Sequence, residues 1–298
     1  MIFNEGKKDE AQSEMPFHSG PYCRAFRPVL VKKGGDAYLT VRHGDASKEF
    51  NLSANQQIVL LLGVSDYYRE EEIAYSFDEK RDGSLYENEE DFANFRPLFT
   101  GKNSFYRSSS PFDDAYGRSG AVLSCMEKFK VKTIIDLADS KNELQRIIDA
   151  SDDGTKSIIK ARSVFALGSD SGLYSDEFEQ SVVFAIRAIL ASRAPYLIHC
   201  RAGKRRSGFI SAILQALYGM DVDDIMEDYM LSYKNNNGVT FASNPRRYSF
   251  LKSDTIEKIL VHINGADFGD LRKSTEEYLR RIGLSRVEIL ALEQMIRQ

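Results

Sequence analysis

The chain has 298 residues, 42% of them hydrophobic and 28% charged, with a formal net charge of −4. That length carries one large domain, or a main domain with a small companion. The slight acidity speaks against bulk nucleic-acid or anionic-membrane binding, so any anion site has to be local.

Three widely spaced cysteines, Cys23, Cys125 and Cys200, give neither a disulfide framework nor a C-x-x-C metal pattern, and four scattered histidines offer no zinc site. Residues 1–20 are polar, with Lys7, Lys8, Asp9 and Glu10, and read as a flexible tail without the apolar run of a secretion signal. No window approaches the ~18 apolar residues of a membrane span. The profile is that of a cytoplasmic chain, or of a secreted one whose signal has been removed.

From Pro28 short strands are expected. Val29-Leu30-Val31 leads to the turn Gly34-Gly35-Asp36, Tyr38 to Val41 follows, and further apolar runs stand at 57–62 and at Ile73-Ala74-Tyr75. Together they predict a small β-rich region over 21–91. Its end, 78–91, carries Asp78, Glu79, Asp82, Glu87, Glu89, Glu90 and Asp91 and reads as a surface linker.

From about residue 92 strands and helices alternate. Val122, Cys125, Met126 and Phe129 mark an amphipathic helix, and Val131 to Leu137 a buried strand. Ser140 and Glu143 form a capping box ahead of Leu144, Ile147 and Ile148, and the run from Ile158 to Leu167 has a strand-like centre. Phe178, Val182, Ala185, Ile186 and Ile189 predict a longer helix that ends by Pro195. Tyr196-Leu197-Ile198 is a short buried strand. Ile210, Ile213, Leu214 and Leu217 predict the next helix, stopping at Gly219, and from Pro245 the pattern is helical. Strands separated by helices imply right-handed βαβ units. The expected fold class is α/β: a parallel-type twisted sheet flanked by helices over 92–298, preceded by the small β-rich region.

The stretch Tyr196 to Gly208, YLIHCRAGKRRSG, concentrates the chemistry. A buried strand runs into Cys200, and ligands sit at the carboxyl ends of strands in such sheets. The loop Arg201, Ala202, Gly203, Lys204, Arg205, Arg206 can turn its N–H groups inward as an anion nest, with Gly203 supplying the backbone freedom. The helix beginning near Arg206 points its positive end at the same spot. Arg206 can grip two phosphate oxygens as a fork. The same positive field favours the thiolate form of Cys200, the nucleophile for in-line attack on phosphorus. His199 points to the opposite face of the strand end.

HCRAGKRRSG resembles the HCxxGKxRxG signature of the protein tyrosine phosphatase superfamily, in particular its bacterial branch with tyrosine and lipid phosphatase activities. Tyr106-Arg107-Ser108 is similar to that branch's YRS element, and Ile134-Ile135-Asp136-Leu137 to its strand-end aspartate element. The resemblance covers about 92–298. It implies that Cys200 is the nucleophile, Arg206 the phosphate clamp and Ser207 the hydroxyl that helps expel the cysteine from the intermediate. The branch usually has aspartate before the arginine; this chain has Arg205.

A leaving oxygen needs a proton, and carboxylic acids on neighbouring loops are the candidates. Asp136, at its strand end, and Asp170, in the Gly168-Ser169-Asp170-Ser171-Gly172 loop, rank equally; Asp139 and Asp176 stand behind them. Arg107 is a second phosphate contact or a structural salt-bridge partner. The expected substrate is a phosphotyrosine protein, with a phosphoinositide or inositol phosphate as the alternative that the extra loop cations favour. No metal or other cofactor, no nucleic acid and no stable membrane insertion are expected. Two readings of other classes are a sulfurtransferase, which also cradles an anion beside a cysteine, and an inactive phosphate-binding module.

Overall fold

In the computed structural model, which describes residues 28–33, 36–41, 75, 82–99, 102–168, 171–265 and 268–297, the chain divides into two units, Met1–Glu71 and Glu72–Gln298. The described part of the first is a hairpin: β1 (Pro28–Lys33) pairs antiparallel with β2 (Asp36–Val41), Lys33 opposite Asp36. That pairing is what a two-residue Gly-Gly connection predicts. The tail, the run at 57–62, Ile73-Ala74, Asp78 and Glu79 lie outside the described residues. Tyr75, read as the end of a strand, is helical.

In the second unit the acidic stretch contains structure. Helix α1 (Glu89–Ala93) is capped by Asn88, whose Oδ1 accepts from the Asp91 N–H. Its acidic residues fill the first turn, where the helix's positive end stabilises them. Glu89 accepts a hydrogen bond from Ser124 and Glu90 pairs with Lys128, so the charges read as solvated in part hold α1 to its neighbour.

Five strands follow: β3 (Arg96–Phe99), β4 (Lys102–Ser108), β5 (Thr133–Asp136), β6 (Ser163–Ala166) and β7 (Tyr196–His199), in the order β3-β4-β7-β5-β6. β4, β7, β5 and β6 are mutually parallel, as the alternating pattern predicts, but β3 is antiparallel to β4 at one edge. The chain between β3 and β4 is too short for a crossover, so it can only turn back.

The helices are α2 (Ser119–Lys128), α3 (Lys141–Ala150), α4 (Asp153–Lys160), α5 (Asp176–Leu190), α6 (Arg205–Tyr218), α7 (Val222–Asn237), α8 (Pro245–Lys252), α9 (Lys258–Asn264), α10 (Leu271–Arg281) and α11 (Arg286–Arg297), with a π-helical turn, Ser253–Glu257, joining α8 to α9. The capping box at Ser140 and Glu143 forms as predicted. Ile158 and Ile159 are helical; extended structure starts only at Ser163. No helix among the described residues is long and apolar enough to cross a membrane.

Side chains alternate across the sheet, as the two-residue period requires. Phe105, Ile135, Tyr196 and Ile198 join one core with α5, α6 and the C-terminal helices; Tyr106, Ile134 and Leu197 join a second core with Val122, Cys125 and Met126 of α2. At the carboxyl edge the register places Ser108, His199 and Asp136 side by side on three adjacent strands. Every element of the candidate site hangs from that row.

Candidate active site

Cys200 follows β7 directly and is nearly enclosed, 7% exposed. It belongs to the α6 side of the sheet, whereas His199 faces the other side, as expected. Its Sγ lies 3.5 Å from the Ser207 hydroxyl in the first turn of α6. That proximity lets Ser207 hydrogen-bond the sulfur as it gains negative charge.

The loop after Cys200 is shaped from outside. The Arg201 carbonyl accepts from the Ser110 N–H at 3.0 Å. The Ala202 carbonyl accepts from Asn236 Nδ2 at 2.9 Å and Ser109 Oγ at 3.3 Å. The Gly203 carbonyl accepts from Arg107 Nη2 at 3.0 Å, Asn94 Nδ2 at 3.2 Å and Ser232 Oγ at 3.3 Å. The Lys204 carbonyl accepts from Arg107 Nη2 at 3.1 Å and the Gly208 N–H at 3.0 Å. A trans peptide points its N–H opposite to its C=O. Four carbonyls held outward therefore turn the N–H groups of residues 202–205 toward the centre, where the positive end of α6 also points. The result is a cradle for a tetrahedral oxyanion.

Gly203 is required twice over. Its φ is +66°, and a Cβ there would stand 2.2 Å from the Ser108 carbonyl oxygen. Gly208 lets α6 approach Tyr229, since a Cβ would come within 2.4 Å of that ring.

The loop's cations have separate fates. Arg206, half-buried, donates from Nη1 to the Leu137 carbonyl at 3.0 Å. Arg201 pairs with Asp113 at 2.8 Å. Lys204 is buried and donates to Asn237 Oδ1 at 3.0 Å. Arg205, the first residue of α6, is exposed.

Arg107 is fully buried: Nη1 meets Asp228 Oδ2 at 2.9 Å and Nη2 serves the loop carbonyls. These contacts, with Asp228 on one side and the loop carbonyls on the other, are those of a structural salt-bridge partner, one of its two readings. Asp228 also takes Arg96 Nε at 2.6 Å, and Arg96 in turn donates to Asn94 Oδ1 at 2.6 Å and to Ser232 Oγ at 2.9 Å. The two guanidiniums hold the Asp228 carboxyl below the ordinary carboxylate range despite its burial. Asn94, Arg96, Asp228, Ser232 and Asn236 belong to no motif in the sequence. Their trace is there all the same: Asp228, Ser232 and Asn236 share a helix stripe with Ile225 and Tyr229, and polar residues on an apolar stripe must find partners.

On the opposite side of the loop lies a second cluster. Asp136 is fully buried; its Oδ1 accepts from the N–H groups of Ala138 at 2.8 Å and Asp139 at 3.1 Å and stands 3.7 Å from His199 Nε2. The Asp139 carboxyl lies near enough to that of Asp136 to feel its charge. Burial pushes Asp136 up to about 7, and burial together with the Asp136 charge pushes Asp139 up to about 6. Burial holds His199, against whose ring Phe112 packs edge-on, down to about 4. Asp176 is exposed in the first turn of α5 behind the cap Ser175 and takes no part in this cluster. Asp170 lies outside the described residues. Cys125 is buried in the second core, and burial pushes its thiol up to about 12, away from reactivity.

A family model described as tyrosine phosphatase family matches residues 100–298. Over 53 residues the chain is 40% identical to the triple specificity protein phosphatase PtpB of Mycobacterium tuberculosis, and the match spans 18% of this chain and 19% of that protein. Among solved structures, the core catalytic domain of the PP-IP phosphatase SIW14 from S. cerevisiae, in complex with citrate, is 18% identical and covers 62% of this chain and 94% of its own, with a TM-score of 0.36. TpbA of P. aeruginosa in complex with pTyr is 16% identical and covers 62% and 92%, with a TM-score of 0.35.

Proposed function

The chain belongs to the tyrosine phosphatase family, and on that premise we propose that it hydrolyses phosphate monoesters through a phospho-cysteine intermediate on Cys200. The observation that carries this reading is the loop itself: four consecutive carbonyls held outward around a thiol, with α6 and Arg206 closing the ring. Such a cradle meets three non-bridging phosphate oxygens and strengthens its hold as charge develops on them. Sγ attacks phosphorus in line with the leaving oxygen. On phosphate binding, Arg206 leaves the Leu137 carbonyl and forks two of the oxygens. Water then cleaves the S–P bond, and Ser207 supports the departing thiolate.

The substrate that fits best is a phosphotyrosine protein. A nearly enclosed thiol needs a phosphate carried on a long, flat group. Arg201 is paired with Asp113 and Lys204 is turned to Asn237, which weakens the charge argument for a polyphosphorylated substrate and leaves it on Arg205. A thiolate nucleophile also works best where thiols stay reduced, so the reading places the protein in the cytoplasm.

Rapid acid quench with a labelled aryl phosphate should trap one phosphate per chain, and Cys200→Ser should abolish both the trapped species and turnover without lowering Tm. Turnover retained within tenfold in that variant would overturn the covalent reading. Thiosulfate giving sulfur transfer in place of phosphate release would favour the sulfurtransferase.

A further inference from the structure

We propose that the free edge of β6 is a docking groove for an extended apolar segment of a partner protein, bound as an added strand of the sheet and flanked by acidic residues.

The backbone carries the first part of the argument. β6 pairs with β5, whose other side is taken by β7, and β6 ends the sheet. The Ser163 N–H donates to the Lys132 carbonyl at 3.0 Å, and the Leu167 N–H to the Asp136 carbonyl at 2.7 Å. Backbone groups alternate sides along a strand, so Val164 and Ala166 turn their N–H and C=O groups away from β5. Those four groups stand at an edge with which no described strand pairs. The opposite edge is blunted. There β3 carries Pro97, which has no N–H, and its Leu98 carbonyl accepts from Gln215 Nε2 at 3.2 Å. β6, with the sequence SVFA, contains neither a proline nor a charge.

The space beside that edge has the right form. A groove of about 620 Å³ runs along β6, with Leu144 and Ile148 of α3 on one wall and Phe184 and Ala188 of α5 on the other. The walls belong to opposite faces of the sheet, because the right-handed connections from β5 to β6 and from β6 to β7 cross it in opposite directions. Phe184 is 54% exposed, although Val182 and Val183 beside it are buried. A strand laid on β6 sends alternate side chains to the two faces, and both sets meet apolar walls. The fitting segment is therefore apolar at successive positions. Main-chain pairing supplies affinity in such docking, and the walls supply selectivity.

Charge decides between a partner and a second copy. The charged residues that line the groove, Lys141 and Arg187, are both cations, on a chain with a net charge of −4. Arg187 is held by Glu288 at 2.7 Å, and Lys141 is the exposed first residue of α3. Pairing β6 with its own copy brings like charges to one groove, whereas acidic residues at the ends of a partner's segment complement them. Neighbouring strands lie about 4.8 Å apart, so the added strand would lie roughly 14 Å from β7 and leave the cradle at Cys200 open.

The test uses a fluorescein-labelled hexapeptide, Glu-Val-Ile-Val-Leu-Glu, added to the full chain and followed by anisotropy with and without vanadate. One control replaces both glutamates by lysine, and another carries N-methyl groups on the four central amides. The acidic probe should bind equally with vanadate present and leave p-nitrophenyl phosphate turnover unchanged, and each control should bind at least about tenfold more weakly. Phe184→Ala and Lys141→Glu should each weaken binding by about tenfold while Tm and turnover hold; a glutamate in the first turn of α3 also suits the helix's positive end. Four results would overturn the proposal. They are no binding of the acidic probe up to about 1 mM, its displacement by vanadate, undiminished binding of the N-methylated probe, and a wild-type dimer in sedimentation that Phe184→Ala dissociates. The last would give the groove to a second copy.

Discussion

Two polar clusters flank the catalytic loop, both buried and built in opposite ways. Behind the loop, Arg107, Arg96, Asp228, Asn94, Ser232 and Asn236 form a network in which nearly every group has a partner, and opposite charges outnumber like ones in contact. In front of it, Asp136, Asp139 and His199 bring two acids together beside a neutral imidazole, with several polar atoms left over. The first cluster fixes a shape. The second stores protonation states that can change. Buried polar groups that are satisfied rigidify a fold, while unsatisfied ones persist where reactivity needs them.

The contrast is most sharply tested by removing Asp228. Asp228→Ala strands two guanidiniums, one of them without exposed surface, and should cost about 3–5 kcal/mol of stability, read as a large fall in Tm or urea midpoint. A loss below ~1 kcal/mol would show that the rear network is not what holds the loop. Asn236→Ala is a milder break, because Ser109 and Asn94 still reach the Ala202 carbonyl. It removes three hydrogen bonds, from Nδ2 to the Ala202 and Ser232 carbonyls and from Ser109 Oγ to Oδ1, and should cost about 1–3 kcal/mol. Its kcat/KM should fall while the pH profile keeps its shape; a shifted profile would mean that the two clusters are coupled.

The front cluster should show itself in the pH dependence of stability instead. Asp136 in the folded chain takes up a proton near 7 that the unfolded chain takes up only near ~3.9, so folding gains stability as pH falls through that window. His199 acts in the opposite sense, because the unfolded chain protonates it near ~6.5 and the folded chain only near 4. In the wild type the two slopes oppose each other. Asp136→Asn removes the first, so the wild type's advantage over this variant should grow by roughly 3 kcal/mol between pH 7 and 4.5, at ~1.4 kcal/mol per pH unit. A difference that stays constant with pH would mean that Asp136 is ionised throughout.

The two clusters also differ in how far they were legible in the sequence. The loop was legible because its chemistry is contiguous: Cys200, Gly203, Arg206 and Ser207 lie within one turn of chain, and strand, glycine and helix start each leave a local mark. Asp136 was legible as the end of a buried strand, but its burial was not. Which of two acids three residues apart faces the site depends on the turn between them and on Gly168 packing from another loop. The rear network was the least legible, since its members come from α1, β3, β4 and α7 and meet only when the sheet and helices have assembled. Edge strand β3 leaves a faint trace for a related reason: four residues beside a short turn carry too little periodicity to separate from loop.

Part of the network that pulls the loop open, the share supplied by α7, follows the nucleophile in the chain, and synthesis runs in that direction. A growing chain acquires the thiol, the glycine and the arginine fork before it acquires Asp228, Ser232 and Asn236 of α7. Until that helix has emerged, the Ala202 and Gly203 carbonyls lack Asn236 and Ser232, Arg107 lacks its counter-ion, and the motif is present with its cradle incomplete. The signature that identifies the protein is therefore complete on the ribosome earlier than the activity. Any shortened product ending between α6 and α7 would carry every residue of HCRAGKRRSG and remain inert.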